Sequence, residues 1–259
     1  METGLTQFVK TSETDGVLTL TISRPEKKNA LTREMYAALS DGVERAERER
    51  EIKALLFQGD GDSFTAGNDI DEFRAQDAGQ QSEEGSGLRF VDLIAKATKP
   101  LVAAVQGNAV GLGATMLLHC DLVFLAEDAR LITPFVNLAL VPEAASTWLL
   151  PARLGHVQAY AMFALGEPLD ASTAVARGLA NAVVPIEALR SRASAAAALL
   201  AKRPAGALSH TKALMREHSR IAAQMAEEAR LFRECLVTAE AREAFAAFAE
   251  RRPPDFFKL

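Results

Sequence analysis

Leu101-Val102-Ala103-Ala104-Val105-Gln106-Gly107-Asn108-Ala109-Val110-Gly111-Leu112-Gly113-Ala114 is the stretch on which the fold turns. Leu101 to Gln106 begins with a continuous apolar run and reads as a strand buried on both faces. Glycines then crowd the chain where an apolar helix opens at Leu112 and runs on to Cys120-Asp121. Such a passage lets backbone approach a ligand, and free N–H groups at the helix start favour negative charge. Gly111-Leu112-Gly113 also looks like part of a dinucleotide fingerprint. Met116 stands where a third glycine is needed, and no GK[ST] phosphate loop occurs, so dinucleotide binding is weakly supported.

Upstream, Val17 to Ser23 alternates in period two and reads as a strand. Arg24-Pro25-Glu26-Lys27-Lys28-Asn29 is a loop, because proline and asparagine interrupt any pattern. Thr32 offers a hydroxyl to cap a helix running to about Arg50. Lys53 to Gln58 is another strand, closed by Gly59-Asp60-Gly61, and Leu122 to Leu125 lies beyond the central stretch as one more. Strands alternating with helices predict a parallel or mixed sheet of α/β class. From Ser191 to Glu250 alanine dominates, with arginine and glutamate interspersed, and Pro204 divides the run into separate helices. Such helices bury an apolar face in their own core or against a neighbouring subunit. Between Arg74 and Gly87, Gln, Ser, Glu and Gly crowd together as a mobile surface segment. No repeat of clear period is visible.

Composition narrows the function. Of 259 residues, 49% are hydrophobic and 24% charged, as in an ordinary soluble protein. A net charge of −5 argues against nucleic acid, and one tryptophan with two tyrosines offers few stacking platforms. No apolar run reaches the roughly 18–20 residues that span a bilayer. His119, His156, His210 and His218 fall into no metal-binding group, and Cys120 and Cys235 form no CxxC pair, so no metal is expected. With no signal peptide at Met1-Glu2-Thr3, a reduced cytoplasmic setting is expected. Phe257-Lys258-Leu259 matches a peroxisomal tail only in its last two positions.

Two further stretches stand out. Ser63-Phe64-Thr65-Ala66-Gly67-Asn68-Asp69-Ile70 follows a strand and, taken alone, is a strand-to-helix loop with Gly67 supplying unusual dihedrals. Leu140-Val141-Pro142-Glu143-Ala144-Ala145-Ser146-Thr147-Trp148 puts proline and glutamate at a helix start, where a carboxylate complements the dipole. Singly, each is structural as readily as functional.

Together, and with Arg24-Pro25, Asn29-Ala30-Leu31, Lys99-Pro100, Cys120-Asp121 and Pro151-Ala152-Arg153-Leu154-Gly155, they resemble the enoyl-CoA hydratase/isomerase, or crotonase, superfamily. The likeness runs from about Val17 through Leu154 and more loosely to Phe257. It implies an α/β crotonase (ClpP-like) fold. A spiral of ββα units would carry the CoA and active site over residues 1–190. A C-terminal helical region, 191–259, would build a homotrimer or dimer of trimers. The implied partner is an acyl-CoA thioester from fatty acid metabolism, with coenzyme A part of the substrate rather than a cofactor.

In that family two backbone amides point at the thioester oxygen, and by motif position they fall on Asn68 and Leu112. One such donor is worth about 3–4 kcal/mol, because deprotonation beside the carbonyl moves charge onto that oxygen. The likeness places Ala66, Gly67, Asn68, Asp69, Ile70, Gly111, Phe135 and Trp148 around the substrate. Hydratases of the family carry two glutamates, at positions held here by Thr115 and Phe135, which argues against efficient water addition. Δ3,Δ2-Enoyl-CoA isomerases place one carboxylate in a Pro-Glu or Pro-Asp step followed by small residues, which Pro142-Glu143-Ala144-Ala145-Ser146 matches. The implied reaction moves a proton from C2 to C4 through Glu143 while the amides hold a dienolate. Phe135, Leu138, Leu140 and Trp148 would raise the Glu143 pKa by desolvation, and a helix dipole would oppose this. Two other readings stay open: another crotonase reaction such as enoyl-CoA hydration, and a catalytically silent acyl-CoA-binding protein. Asp69, Asp71 and Asp121 read as structural, and Lys258 with Phe256 could reach coenzyme A.

Overall fold

The computed structural model describes residues 3–70, 72 and 86–258. Asp71 and most of the Arg74 to Gly87 segment lie outside the described residues. Strands β1 (Thr3–Thr6), β2 (Val9–Thr14), β3 (Val17–Ile22), β4 (Ala54–Gly59), β5 (Leu101–Val105), β6 (Asn108–Val110), β7 (Leu122–Ala126), β8 (Arg130–Ile132), β9 (Leu169–Asp170) and β10 (Ala182–Val184) form two sheets. The larger runs β1-β2-β3-β4-β5-β7-β10 and the smaller β6-β8-β9. The pairs β1–β2 and β2–β3 are antiparallel, while β3, β4, β5, β7 and β10 pair in parallel.

The helices are α1 (Arg33–Arg48), α2 (Ser86–Lys96), α3 (Leu112–Thr115), α4 (Ser146–Leu154), α5 (His156–Tyr160), α6 (Ala171–Ala176), α7 (Ile186–Ala201), α8 (Ala205–Leu214), α9 (His218–Leu236) and α10 (Ala239–Glu250). Helix α1 forms because Met35, Leu39 and Val43 recur every fourth residue, and Thr32 Oγ1 accepts from Met35 N–H at 3.3 Å.

The apolar strands are buried twice over. Val102 and Ala104, with Ala54, Leu56 and Phe124, meet Leu189, Ala193, Ala196 and Ala197 of α7. Ala103 and Val105, with Leu55, Phe57 and Leu125, join α1 and α2 in the larger core. Alternation along each strand sends successive side chains to opposite layers. Alanines on α7 let that helix lie close to the sheet.

A long strand of one sheet followed by a short strand of the other recurs as β5–β6 and β7–β8, and β6 pairs β8 in parallel. Beyond β4, Thr65 bridges Ala109 in the same parallel sense, so the loop after β4 enters an equivalent turn of the spiral. The repeat is one of backbone path, with different side chains in each turn.

The expected strands stand within a residue of their places, but β1, β2 and the three-residue strands were not foreseen. The helix expected from Leu112 to Cys120 is α-helical only to Thr115, then winds as a 3₁₀ turn over Met116–His119. That tighter winding advances farther per residue. It delivers Asp121 to β5, where its carboxylate accepts from Leu101 N–H (2.8 Å) and Lys212 Nζ (2.7 Å). Asp121 thus ties α8 to the sheet, and Pro204 separates α7 from α8 as expected. Among the described residues, no helix is long and apolar enough to cross a membrane.

Candidate active site

Two loops meet beside the small sheet. Leu31 N–H donates to Gly67 O (2.8 Å) and Asp69 N–H to Leu31 O (2.9 Å), so the bridge opposite Asn68 uses the groups on either side of it. The Asn68 N–H therefore points away from Leu31. In the second loop Gly111 N–H donates to Ile132 O, and Gly111 O accepts from Ala114 and Thr115. Leu112 opens α3, where amides lack helical partners. Among the described residues neither the Asn68 nor the Leu112 N–H has a partner, and both residues line one cavity.

Thr65 N–H to Asn108 O (3.1 Å) and Val110 N–H to Thr65 O (3.0 Å) lock the loops together. Their approach requires glycine: a Cβ on Gly67, at φ 82°, would sit 2.8 Å from Val110 O. Behind them Asn29 is fully buried. Its Nδ2 donates to Asp60 O and Ser63 O, both at 2.8 Å, and its Oδ1 accepts from Arg24 N–H at 2.7 Å. The Arg24 and Asn29 motifs are thus the scaffold of the Asn68 loop.

The cavity holds about 390 Å³. Ala66, Gly67, Asn68, Ile70, Gly111, Leu112 and Phe135 line it, and Phe232, Phe245 and Phe248 of α9 and α10 form a far wall with Arg252. Asp69 and Trp148 are placed elsewhere. The Asp69 carboxylate pairs with Arg24 Nη1 at 2.6 Å. Trp148 packs with Ala95, Ala145 and Ile221, under the Arg220 guanidinium at 4.4 Å. The chain turns before α4 begins, and so carries the indole toward α2 and α9.

Glu143 lies in that turn, off the helix. Ala144 (φ 66°) and Ala145 (φ 54°) are left-handed, and α4 starts only at Ser146. Two buried groups clamp the turn. His119 Nε2–H donates to Ala144 O at 2.9 Å, and burial first pushes the ring's pKa down to about 4, keeping it neutral. Glu228 of α9 accepts from Ala145 N–H (2.6 Å) and Thr147 N–H (3.0 Å).

Glu143 opens onto a second cavity of about 240 Å³ between α2 and α9, lined also by Leu88, Val91, Asp92, Met225 and Glu228. Part of the residue touches this space, yet its Oε1 is buried and has no hydrogen-bond partner among the described residues. Burial, then the charge of Glu228, pushes its pKa up to about 7. With Glu143 outside the helix, burial prevails over the expected dipole. Tyr36 relates the two cavities. Its hydroxyl donates to Asn68 Oδ1, and burial, then Glu143 and Glu72, hold its pKa well above the usual phenol value.

The profile of the enoyl-CoA hydratase/isomerase family matches residues 12–258. The chain belongs to that family. It is 34% identical over 257 residues to the 1,2-epoxyphenylacetyl-CoA isomerase of Escherichia coli (strain K12), covering 96% of this chain and 98% of that protein. The enoyl-CoA delta isomerase 2 of Rattus norvegicus is 32% identical over 244 residues, 92% of this chain and 62% of that protein. The crystal structure of an enoyl-CoA hydratase/isomerase from Pseudoalteromonas atlantica T6c matches with TM-score 0.91 and 41% identity, covering 96% of this chain and 100% of that one. The fold is the crotonase fold, and the chain is an acyl-CoA enzyme of the enoyl-CoA hydratase/isomerase family.

Where the sequence pattern sets the hydratase glutamates of this family, Thr115 and Phe135 are both buried. The Thr115 hydroxyl donates to Leu112 O at 3.5 Å, and no carboxylate lines the larger cavity among the described residues. Sequence reasoning missed Tyr36, His119 and Glu228. Tyr36 could have been found as a polar residue on the buried stripe of α1, but nothing in the chain marks Glu228, which reaches Glu143 only through the packing of α9. Lys258 pairs with Asp255 at 2.5 Å.

Proposed function

We propose that this member of the family shifts the double bond of a 3-enoyl-CoA to the 2-position, with Glu143 carrying the proton. The observation that carries the reading is the Glu143 carboxyl, whose buried Oε1 has no hydrogen-bond partner among the described residues and whose pKa burial pushes up to about 7, where Thr115 and Phe135 leave no hydratase pair. The Asn68 and Leu112 N–H groups would donate to the thioester oxygen in the larger cavity, and the acyl chain would extend from there past Tyr36 to Glu143, which lines the second cavity. The Glu143 carboxylate takes a proton from C2, and the C–H electron pair delocalises into a dienolate whose charge the two amides receive. The dienolate then takes the same proton back at C4, leaving the 2,3 double bond and a regenerated carboxylate. A base titrating near the working pH serves both half-steps.

Glu143→Gln is the test. With a 3-enoyl-CoA of medium length, turnover is expected to fall by about 10²–10⁴-fold while thioester binding persists. Near-normal turnover, or exclusive hydration of a 2-enoyl-CoA by the unmodified enzyme, would overturn the reading. A second reading draws on the end-to-end similarity to 1,2-epoxyphenylacetyl-CoA isomerase. It keeps the same protein groups and changes the acyl part to an epoxide-bearing aromatic, and offering both thioesters separates the two.

A further inference from the structure

One clamp on the Glu143 turn is a charge that the proposed reaction does not use. Glu228 is 3% exposed, and among the described residues the donors to its carboxylate come from just after Glu143. Ala145 N–H and Thr147 N–H donate to it, as does the Thr147 hydroxyl, which accepts in turn from Gln224 Nε2 at 2.8 Å. These amides sit at the opening of α4, where backbone donors lack helical partners. Glu143 and Glu228 line the same cavity.

We propose that Glu228 is a positioning residue for Glu143: it fixes the turn that carries the base and confronts that base with a second buried negative charge. The inference rests on the reading of Glu143 as the base. Two carboxylates in one poorly solvated cavity oppose each other's ionisation, and the better-solvated one stays charged. Glu228 has N–H and O–H donors, while Glu143 Oε1 has none among the described residues. Burial raises both pKa values, but the Thr147 and Ala145 donors pull that of Glu228 back down, so the proton stays on Glu143 to higher pH.

Other charged or titratable groups near the cavity are differently placed. Asp92 of α2 is ion-paired with Lys96 at 2.7 Å. Tyr36 of α1 is a neutral phenol, and His119 is a neutral ring. Arg220 of α9 is stacked on Trp148. Removing the Glu228 charge would leave Glu143 a weaker base, ionised from a lower pH.

The test is the pH profile of kcat/KM on a 3-enoyl-CoA for the wild type, Glu228→Gln and Glu143→Gln. Glutamine keeps the shape and one acceptor oxygen but removes the charge. The rising limb is expected to move to lower pH in Glu228→Gln, with KM little changed. A lower Tm with an unmoved limb would show a merely structural clamp and overturn the inference. Should Glu228→Gln not fold, the wild type labelled at glutamate ¹³Cδ supplies the answer. The Glu143 signal, identified by its loss in Glu143→Gln, is expected to titrate in two steps because each carboxyl reports the other; a single step overturns the inference. An inactive Glu143→Gln with an unmoved Glu228→Gln limb sinks only the role of Glu228. An active Glu143→Gln sinks the base, and this inference with it.

Discussion

Glu143, the proposed base, opposes the fold that holds it. Its ordinary pKa is 4.5, and folding raises it to about 7. Between these values the unfolded chain has released the proton while the native chain retains it, so the native state binds more protons. Stability therefore falls as pH rises from 4.5 to 7, by up to about 3 kcal/mol. Glu143→Gln is expected to be more stable than the wild type at pH 8, with the difference vanishing near pH 4; denaturant melts at both values check this. Equal stability at pH 8 would mean that the carboxyl is solvated. Short motifs point to Asn68, Leu112 and Glu143, and the structure sets the first two on one cavity and Glu143 on another. Trp148 was misread because the face it takes depends on two left-handed alanines, Ala144 and Ala145, which composition does not announce.

At the scale of elements, the site depends on how closely two loops approach. The Gly67→Ala change adds a Cβ 2.8 Å from Val110 O at a residue with φ 82°. It is expected to cost about 1–3 kcal/mol of stability and to lower kcat/KM by at least tenfold as the Asn68 amide moves from Leu112. Chemical denaturation and kinetics measure the two effects, and an unchanged kcat/KM would show that the loops do not set the amides. Strand β3 could be read from its period-two alternation and β5 from an apolar run buried on both faces. Strands β6, β8 and β10 are three residues long, too short for a period to show. In β2 only Val9 and Thr11 are buried, so its polar side chains resemble a loop.

At the scale of the molecule, a spiral was expected from resemblance, since its turns share a path and not a side-chain pattern. Leu199 and Leu214 stand exposed on the helices after the last strand, and Met215 and Val237 just past helix ends. Uncovered apolar side chains of this size fit a partner surface. A trimer or dimer of trimers is predicted, and light scattering of a stable monomer would contradict it. Whatever the assembly, the chemistry depends on whether one shielded carboxyl carries one proton between two carbons. The direct measurement uses a 3-enoyl-CoA deuterated at C2, with the product's C4 examined by NMR after a single turnover in ordinary water. A buried Glu143 predicts deuterium at C4 and its loss in Glu143→Gln. Hydrogen at C4 coming from solvent alone would contradict the account.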